Sequence, residues 1–491
     1  MRAIMLQGTS SWSGKSLIAT ALCRHFADLG VKVAPFKAQN MSNNARVVDG
    51  GEIGVAQYLQ ALAARITPDV RMNPVLIKPE SSTSSQVVLR GQADREISAV
   101  PWRQRAPRLW QAALESLRSL QREYELVILE GAGSPAEINL TGSDIANMRS
   151  AAAADAAVIL VADIDRGGAF AHLYGTWALQ EEPDRRRLAG FVLNKFRGDE
   201  SLLAPAPQRL AELTGMAPLG VVPRLSHGLP DEDGASPALA PAGRRDGAGR
   251  PLVAIVRYPM ASNLDEFKLL EQVADVHWAR SPEQLAGAEL VILPGSKHTT
   301  ADLDWLRQSG LSSAIRARAA RGERVLGICG GLQMLGARLL ADGDPVEHDA
   351  DGLGLLAIET RFAGDKVTRS EQVRLRESLT PPWAALSGVS YSAYEIRQGR
   401  TGLIEDAARR AEVDGADATQ RAFADGVPGF CRGSVLGIAT HGLLESTSVL
   451  AAIIDGTPPA LSLERSLDTL RDAVVAGLDI AAIETLTRSD C

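Results

Sequence analysis

Long apolar runs are missing from this chain of 491 residues. The longest candidate, AAAADAAVILVADI, carries Asp155 and stops short of the roughly 18 residues that a membrane span needs. The N-terminal MRAIMLQG has too short an apolar run for a secretory signal. Cysteine is scarce: Cys23, Cys329, Cys431 and Cys491 lie far apart and show no metal-ligand spacing, so a reduced, cytoplasmic setting with at most one chemically active thiol fits best. Blocks of charge are absent too. The net charge is −7, with no long basic or acidic run to favour nucleic acid or an anionic membrane as partner. The expectation is a soluble protein with no nucleic-acid or membrane partner. Assembly into a homo-oligomer stays open.

What is present has the texture of a globular α/β protein. The length suggests about two to four domains. Short apolar runs bounded by Gly, Asp or Pro recur: AIMLQG, KVAPF, LVILEG, AVILVADI, GFVLNKF and LGVVP. They read as buried strands of a parallel sheet, separated by helical stretches such as Lys15 to Leu29. Gly228 to Pro251 is rich in Gly, Pro, Ala and charge and has no apolar periodicity. Strand signals then restart with LVAIVRYP, ELVILPG, RVLGICG, LGLLAIET and VLGIATHG. The expected architecture is two doubly wound α/β domains, at 1–230 and 251–449, joined by a linker at 231–250 and followed by a helical tail at 450–491.

GTSSWSGKS, Gly8 to Ser16, lies between a predicted strand and a predicted helix. Backbone N–H groups there point outward and the helix dipole favours an anion. On this reading Gly8, Thr9, Gly14, Lys15 and Ser16 hold ATP, with Lys15 on the terminal phosphates and Ser16 on Mg2+. The loop is one residue longer than the usual phosphate loop: five residues separate Gly8 from Gly14. A glycine-rich turn without a ligand is the competing reading. Glu130, at the end of LVILEG, suits the oxygen preference of Mg2+. Asp49 in VVDGGEIG is a further metal candidate, as is Asp144 in GSDIANM, and each reads equally well as a solvated loop acid.

VLGICGGLQMLG places Cys329 between a strand and a helix, followed by two glycines. Such an elbow exposes the sulfur, and the helix N-terminus favours the thiolate. A buried structural cysteine is the alternative. His441 ends another predicted strand in VLGIATHG and is the candidate proton shuttle; His298 in LPGSKHTTADLDWL is its rival. The Pro-Gly-Ser turn at Gly295 can aim backbone N–H groups at an oxyanion together with Gly330. An acid two residues after His441 would suit a triad, but Leu443 stands there and the nearest acid is Glu445.

These motifs carry resemblances. A phosphate loop one residue longer, starting Gly-Thr, resembles that of dethiobiotin synthetase-like ATPases. The Cys elbow, the PGS loop and the late His resemble class I glutamine amidotransferases. The order APFKAQNMSNN, GGEIGVAQ, MNPVLIKP, EGAGSPAEINL, DIDRGGAFAHLYGT, LNKFRGD, LPDEDG and LPGSKHTTADLDWL resembles the cobyric acid synthase family of cobalamin biosynthesis over nearly the whole chain. The resemblance implies ATP and glutamine as co-substrates, with Mg2+. It also implies a corrinoid substrate, adenosylcobyrinic acid a,c-diamide, amidated at its b, d, e and g carboxylates. This chain departs from the family at Arg397, which follows YEI where His is usual, and the residue is expected at a surface or substrate edge. Other readings are an amidotransferase like cobyrinic acid a,c-diamide synthase acting on another polycarboxylic acid, a CO₂-using ligase with a silent second domain, and a partition-type switch ATPase. Glutaminase activity separates the amidotransferases from the last two.

Overall fold

The computed structural model describes residues 2–80, 84–140, 142–225, 228–229, 250–362, 366–404, 418–424, 426–454 and 462–488. The expected linker at 231–250 lies outside the described residues except for Arg250. The chain divides into two compact units, Met1–Glu232 with Leu461–Cys491, and Asp233–Ala460. No helix among the described residues is long and apolar enough to cross a membrane.

The first unit is built on a parallel sheet of six strands. These are β1 (Arg2–Gly8), β2 (Val33–Phe36), β3 (Leu126–Glu130), β4 (Ala157–Asp163), β5 (Leu188–Phe196) and β6 (Ala217–Pro223), in the order β6-β5-β4-β1-β3-β2. Successive side chains of a strand face opposite sides, so a run that is apolar throughout serves two cores. Ala3 and Met5 enter one core with Val127, Leu129, Val158 and Leu160. Ile4 and Leu6 enter the other with Leu126, Ile128, Ile159 and Val161. Helix α1 (Lys15–Asp28) covers the second face through Ile18, Leu22 and Phe26.

Residues 450–491, expected as one tail, are divided. Leu450 and Ile453 of the helix Thr447–Ile453 lie in a core of the second unit. The helix Leu463–Val475 instead adds Leu467, Leu470 and Val474 to the α1 side of the first unit, where Ile483 joins them. Arg24, 1% exposed, anchors it by donating to Glu464 at 2.6 Å and to Asp468 at 2.9 Å. Helical spacing was visible in the tail, but spacing does not say which core an apolar stripe enters.

The second unit repeats the plan with seven strands. They are β7 (Leu252–Val256), β8 (Asp275–Ala279), β9 (Leu290–Leu293), β10 (Arg324–Ile328), β11 (Gln420–Arg421), β12 (Gly429–Arg432) and β13 (Val435–Ile438), ordered β8-β7-β9-β10-β13-β12-β11. The pairings from β8 to β13 are parallel, and β12 and β11 are added antiparallel. Alternation again feeds two cores, Val253, Ile255, Ile292 and Ile328 on one side and Ala254, Val256, Val291 and Val325 on the other. β10 stands between β9 and β13, so the chain ends that follow these three strands come together at one edge of the sheet.

Candidate active sites

In the first unit the phosphate loop joins the end of β1 to α1. Gly14 precedes the helix at φ 93°, and a Cβ built on it would stand 2.0 Å from Asn194 Nδ2, so this position requires glycine. Asn194 Nδ2 donates to the Ser13 carbonyl at 2.8 Å, and Lys195 Nζ donates to the Trp12 carbonyl at 2.5 Å. The end of β5 therefore clamps the middle of the long loop. Thr9 N–H donates to Val161 O at 3.0 Å, and Lys15 Nζ reaches the carbonyls of Ser10 and Gly133, each at 3.3 Å. A Cβ on Gly8 would meet that ammonium at 2.8 Å. The hydroxyls of Thr9 and Ser13 are buried and have no hydrogen-bond partner. Buried hydroxyls left unsatisfied are costly, and here they line a loop whose form suits an anion.

Ser16 Oγ donates to Glu130 Oε1 at 2.8 Å. Glu130 is 1% exposed and also accepts from Lys37 Nζ at 2.8 Å and Gln60 Nε2 at 2.6 Å. Hard oxygen donors thus meet beside the phosphate loop. Asp49 does not join them. It occupies the exposed turn between the strands Ala45–Val48 and Gly51–Gly54 at φ 48°, the setting of a turn residue, and no acidic metal cluster exists among the described residues. Asp144 is likewise a turn residue: its carboxylate accepts the N–H groups of Ala146 and Asn147 at 2.7 and 3.2 Å. Lys37 and Gln60 were missed. A cation directly after the buried strand VAPF was the available signal for Lys37.

In the second unit Cys329 follows β10 and precedes the helix Gly330–Leu335. Its backbone is at φ 51° and ψ −107°, a strained conformation for a residue with a side chain. The turn is held by Cys329 N–H donating to Ile438 O of β13 at 2.8 Å. Cys329 Sγ lies 3.8 Å from the carbonyl oxygen of Ile396. His441 follows β13 and is 1% exposed. Its Nδ1 is 2.9 Å from Glu266 Oε1, and Glu266 is fully buried. Burial opposes the imidazolium, but the charges of Glu266 and of the Cys329 sulfur, with hydrogen bonds to both, outweigh it and push His441 up to about 10. Tyr394 stacks on the imidazole, with centroids 5.2 Å apart and planes at 22°.

Gly295 and Gly330 both reach this site. A Cβ on Gly295 would stand 3.0 Å from His441 Cε1, and one on Gly330 would stand 2.7 Å from Ser296 N. His298 is placed differently: it occupies the position before the helix Thr299–Gln308 without a side-chain capping bond, with Nε2 4.0 Å from Glu347 Oε2. Glu445 is exposed on the turn after His441, and it is Glu266 that meets the imidazole. Arg397, expected at a surface or substrate edge, is 8% exposed and forms an ion pair with the fully buried Glu395, donating also to Gly399 O at 2.5 Å. A guanidinium can be buried where a carboxylate and a carbonyl satisfy its fork. Among the described residues the other two thiols are held protonated: burial, and then the charge of Glu130, holds Cys23 far above the ordinary thiol range, and burial raises Cys431.

Comparison with known proteins matches both units. Residues 4–229 fit the family described as CobQ/CobB/MinD/ParA nucleotide binding domain, and residues 252–449 fit the CobB/CobQ-like glutamine amidotransferase domain. The chain is 50% identical to the cobyric acid synthase of Polaromonas sp., over 99% of this chain and 98% of that one. It is 52% identical to that of Variovorax paradoxus, over 96% of each chain. It is also 52% identical to that of Paracidovorax citrulli, over 97% of this chain and 96% of the other.

Proposed function

We infer that this chain, which belongs to the cobyric acid synthase family, uses ATP and glutamine to amidate carboxylates of a corrinoid acid. The finer reading names adenosylcobyrinic acid a,c-diamide as substrate and its b, d, e and g carboxylates as the groups amidated. Residues 1–230 act as the synthetase domain and 251–449 as the amidotransferase domain. The buried thiols Cys23 and Cys431 fit a reducing cytoplasm.

The observation that carries the glutaminase half is the strained Cys329 elbow beside a buried His441–Glu266 pair. The Cys329 thiolate attacks the side-chain carbonyl carbon of glutamine, and its C=O electrons move onto oxygen. Backbone N–H groups at Gly330 and in the Gly295 turn stabilise that oxyanion. Collapse expels ammonia, which takes its proton from the His441 imidazolium. Water, deprotonated by the now neutral His441, then cleaves the thioester and releases glutamate. Glu266 keeps the imidazole oriented through Nδ1, leaving the other ring nitrogen for this work.

In the first unit the substrate carboxylate attacks the terminal phosphate of ATP and gives an acyl phosphate and ADP. Ammonia then attacks the acyl carbon and phosphate leaves. A free carboxylate would not react, because hydroxide is a poor leaving group. Lys15 and the loop N–H groups hold the phosphates. Ser16 and Glu130 fit Mg2+, since two hard oxygens converge there and this ion takes few protein ligands alongside phosphate and water. When bound, the ion would neutralise charge on the phosphates. Free ammonia is mostly protonated at neutral pH, which makes a source within the same chain useful.

Mass analysis of a corrinoid acid incubated with ATP and glutamine tests the proposal. Successive replacement of OH by NH₂, stoichiometric with glutamate formed, is the expected result. ATP hydrolysis without amide or glutamate formation would sink it in favour of a switch ATPase.

A further inference from the structure

Asp302 takes no part in the chemistry above, yet it is a 1% exposed acid bonded to Ser296, whose backbone abuts Gly330. Its surroundings are specific. The segments around Ala261–Ser262 and Gly295–Ser296 form a short antiparallel ladder. Lys297 N–H donates to Met260 O at 2.9 Å, and the Tyr258 hydroxyl donates to Pro294 O. Asp302 ties both sides of this ladder from the first turn of the next helix. Its Oδ1 accepts Met260 N–H at 3.0 Å, and its Oδ2 accepts the Ser296 hydroxyl at 2.6 Å. Ser296 Oγ accepts His298 N–H at 3.1 Å, so that hydroxyl is held from two directions. The backbone thus fixed abuts Gly330, where an added Cβ would come within 2.7 Å of Ser296 N and 2.8 Å of Ser296 Cβ.

We propose that Asp302 is a positioning residue for glutamine hydrolysis: its carboxylate pins the Gly295–Ser296 turn against the Cys329 elbow, setting the oxyanion-binding backbone. The assignment rests on the glutaminase reading of this site. A turn used for packing alone would be served better by an apolar residue or a neutral amide, because a buried charge is costly. That cost is visible. Burial raises the Asp302 carboxyl to about 7; the hydrogen bonds from Ser296 and Met260 and the charge of Arg257 favour the carboxylate, and Glu347 opposes it. The folded-state value lies above the ordinary carboxyl value, so the ionised acid destabilises the fold increasingly as pH rises from about 4 through about 7.

The test uses the full chain with Asp302→Asn, Ser296→Ala and the double variant. Because oxyanion donors act in the transition state, each single change is expected to lower kcat for glutamine hydrolysis about 10- to 100-fold, with KM for glutamine moving less than about twofold. Ser296→Ala removes only the link between Ser296 and Asp302, whereas Asp302→Asn disturbs that link and the one to Met260, so the double variant should be no slower than Asp302→Asn. Ammonium-driven synthesis should persist. At pH 8 the midpoint of thermal unfolding of Asp302→Asn should be unchanged or higher. A folded Asp302→Asn chain that keeps wild-type kcat overturns the assignment, as does a loss confined to KM or a lower midpoint with parallel loss of ammonium-driven synthesis. If Asp302→Asn does not fold, Ser296→Ala decides alone, and an unchanged kcat overturns the assignment. A wild-type chain that hydrolyses no glutamine overturns the glutaminase reading itself, which separates the two failures.

Discussion

Replacing Glu266 by Gln probes the buried relay with almost no change of shape. Glu266 Oε1 faces His441 Nδ1 at 2.9 Å, and Oε2 accepts Gly442 N–H at 3.2 Å. An amide has one oxygen and can serve only one of them, so its NH₂ must face a donor at the other. The charge is also lost. Raising His441 from 6.5 to about 10 corresponds to about 5 kcal/mol in favour of the imidazolium, net of burial, at about 1.36 kcal/mol per tenfold. Glu266 and Cys329 share that effect, and breaking a buried pair by removing one partner costs about 3 to 5 kcal/mol. About 3 kcal/mol on the barrier is a loss of about 10²-fold in kcat for glutamine hydrolysis. The sign with pH follows from the raised value. The imidazolium persists in the wild type until pH rises through about 10, whereas in the variant only the Cys329 sulfur is left to oppose burial and the value falls. The alkaline limb of the rate should therefore move to lower pH. The pair's stabilising effect is complete below about 6.5 and fades as pH rises toward 10. Steady-state glutaminase assays from pH 5 to about 10.5 measure all of this, with ammonium-driven synthesis as the control. A Glu266→Gln chain within about threefold of wild type, with an unmoved alkaline limb, would refute the reasoning. The exposed Glu445, changed to Gln, should leave the rate unaltered.

Cys329→Ser should abolish glutamine-driven synthesis and leave synthesis from ammonium salts, read by corrinoid mass; failure of ammonium to rescue a folded variant contradicts the division of labour. Lys15→Ala should abolish synthesis from either nitrogen source, because Lys15 is assigned to phosphate charge, and unchanged ATP turnover would remove the loop Gly8 to Ser16 from the mechanism. On the proposed substrate one phosphate loop and one Cys elbow would serve four carboxylates, so partly amidated corrinoids should appear free before the final product. Chromatography of quenched time courses tests this, and only starting acid and finished product at scarce enzyme would show that the substrate stays bound.

The two candidate sites were legible because each is a contiguous strand-turn-helix. In GTSSWSGKS and GICGGLQ the glycines, the nucleophile or cation, and the flanking apolar strand are chain neighbours, so short-range pattern carries the geometry. Two doubly wound domains were legible for a similar reason, since apolar runs with no polar alternation imply strands buried on both faces. The partners were not legible. Glu266 lies 175 residues from His441, and Lys37 and Gln60 lie 93 and 70 residues from Glu130. No local spacing links such residues, and a carboxylate reads the same in sequence whether it is buried like Glu266 or exposed like Asp49. Arg397 shows the converse, a charge expected at a surface or substrate edge and found buried against Glu395. Local pattern decides backbone form because φ and ψ depend on near neighbours. Burial and ionic pairing depend on which distant strands end at the same sheet edge, and only the tertiary structure decides that.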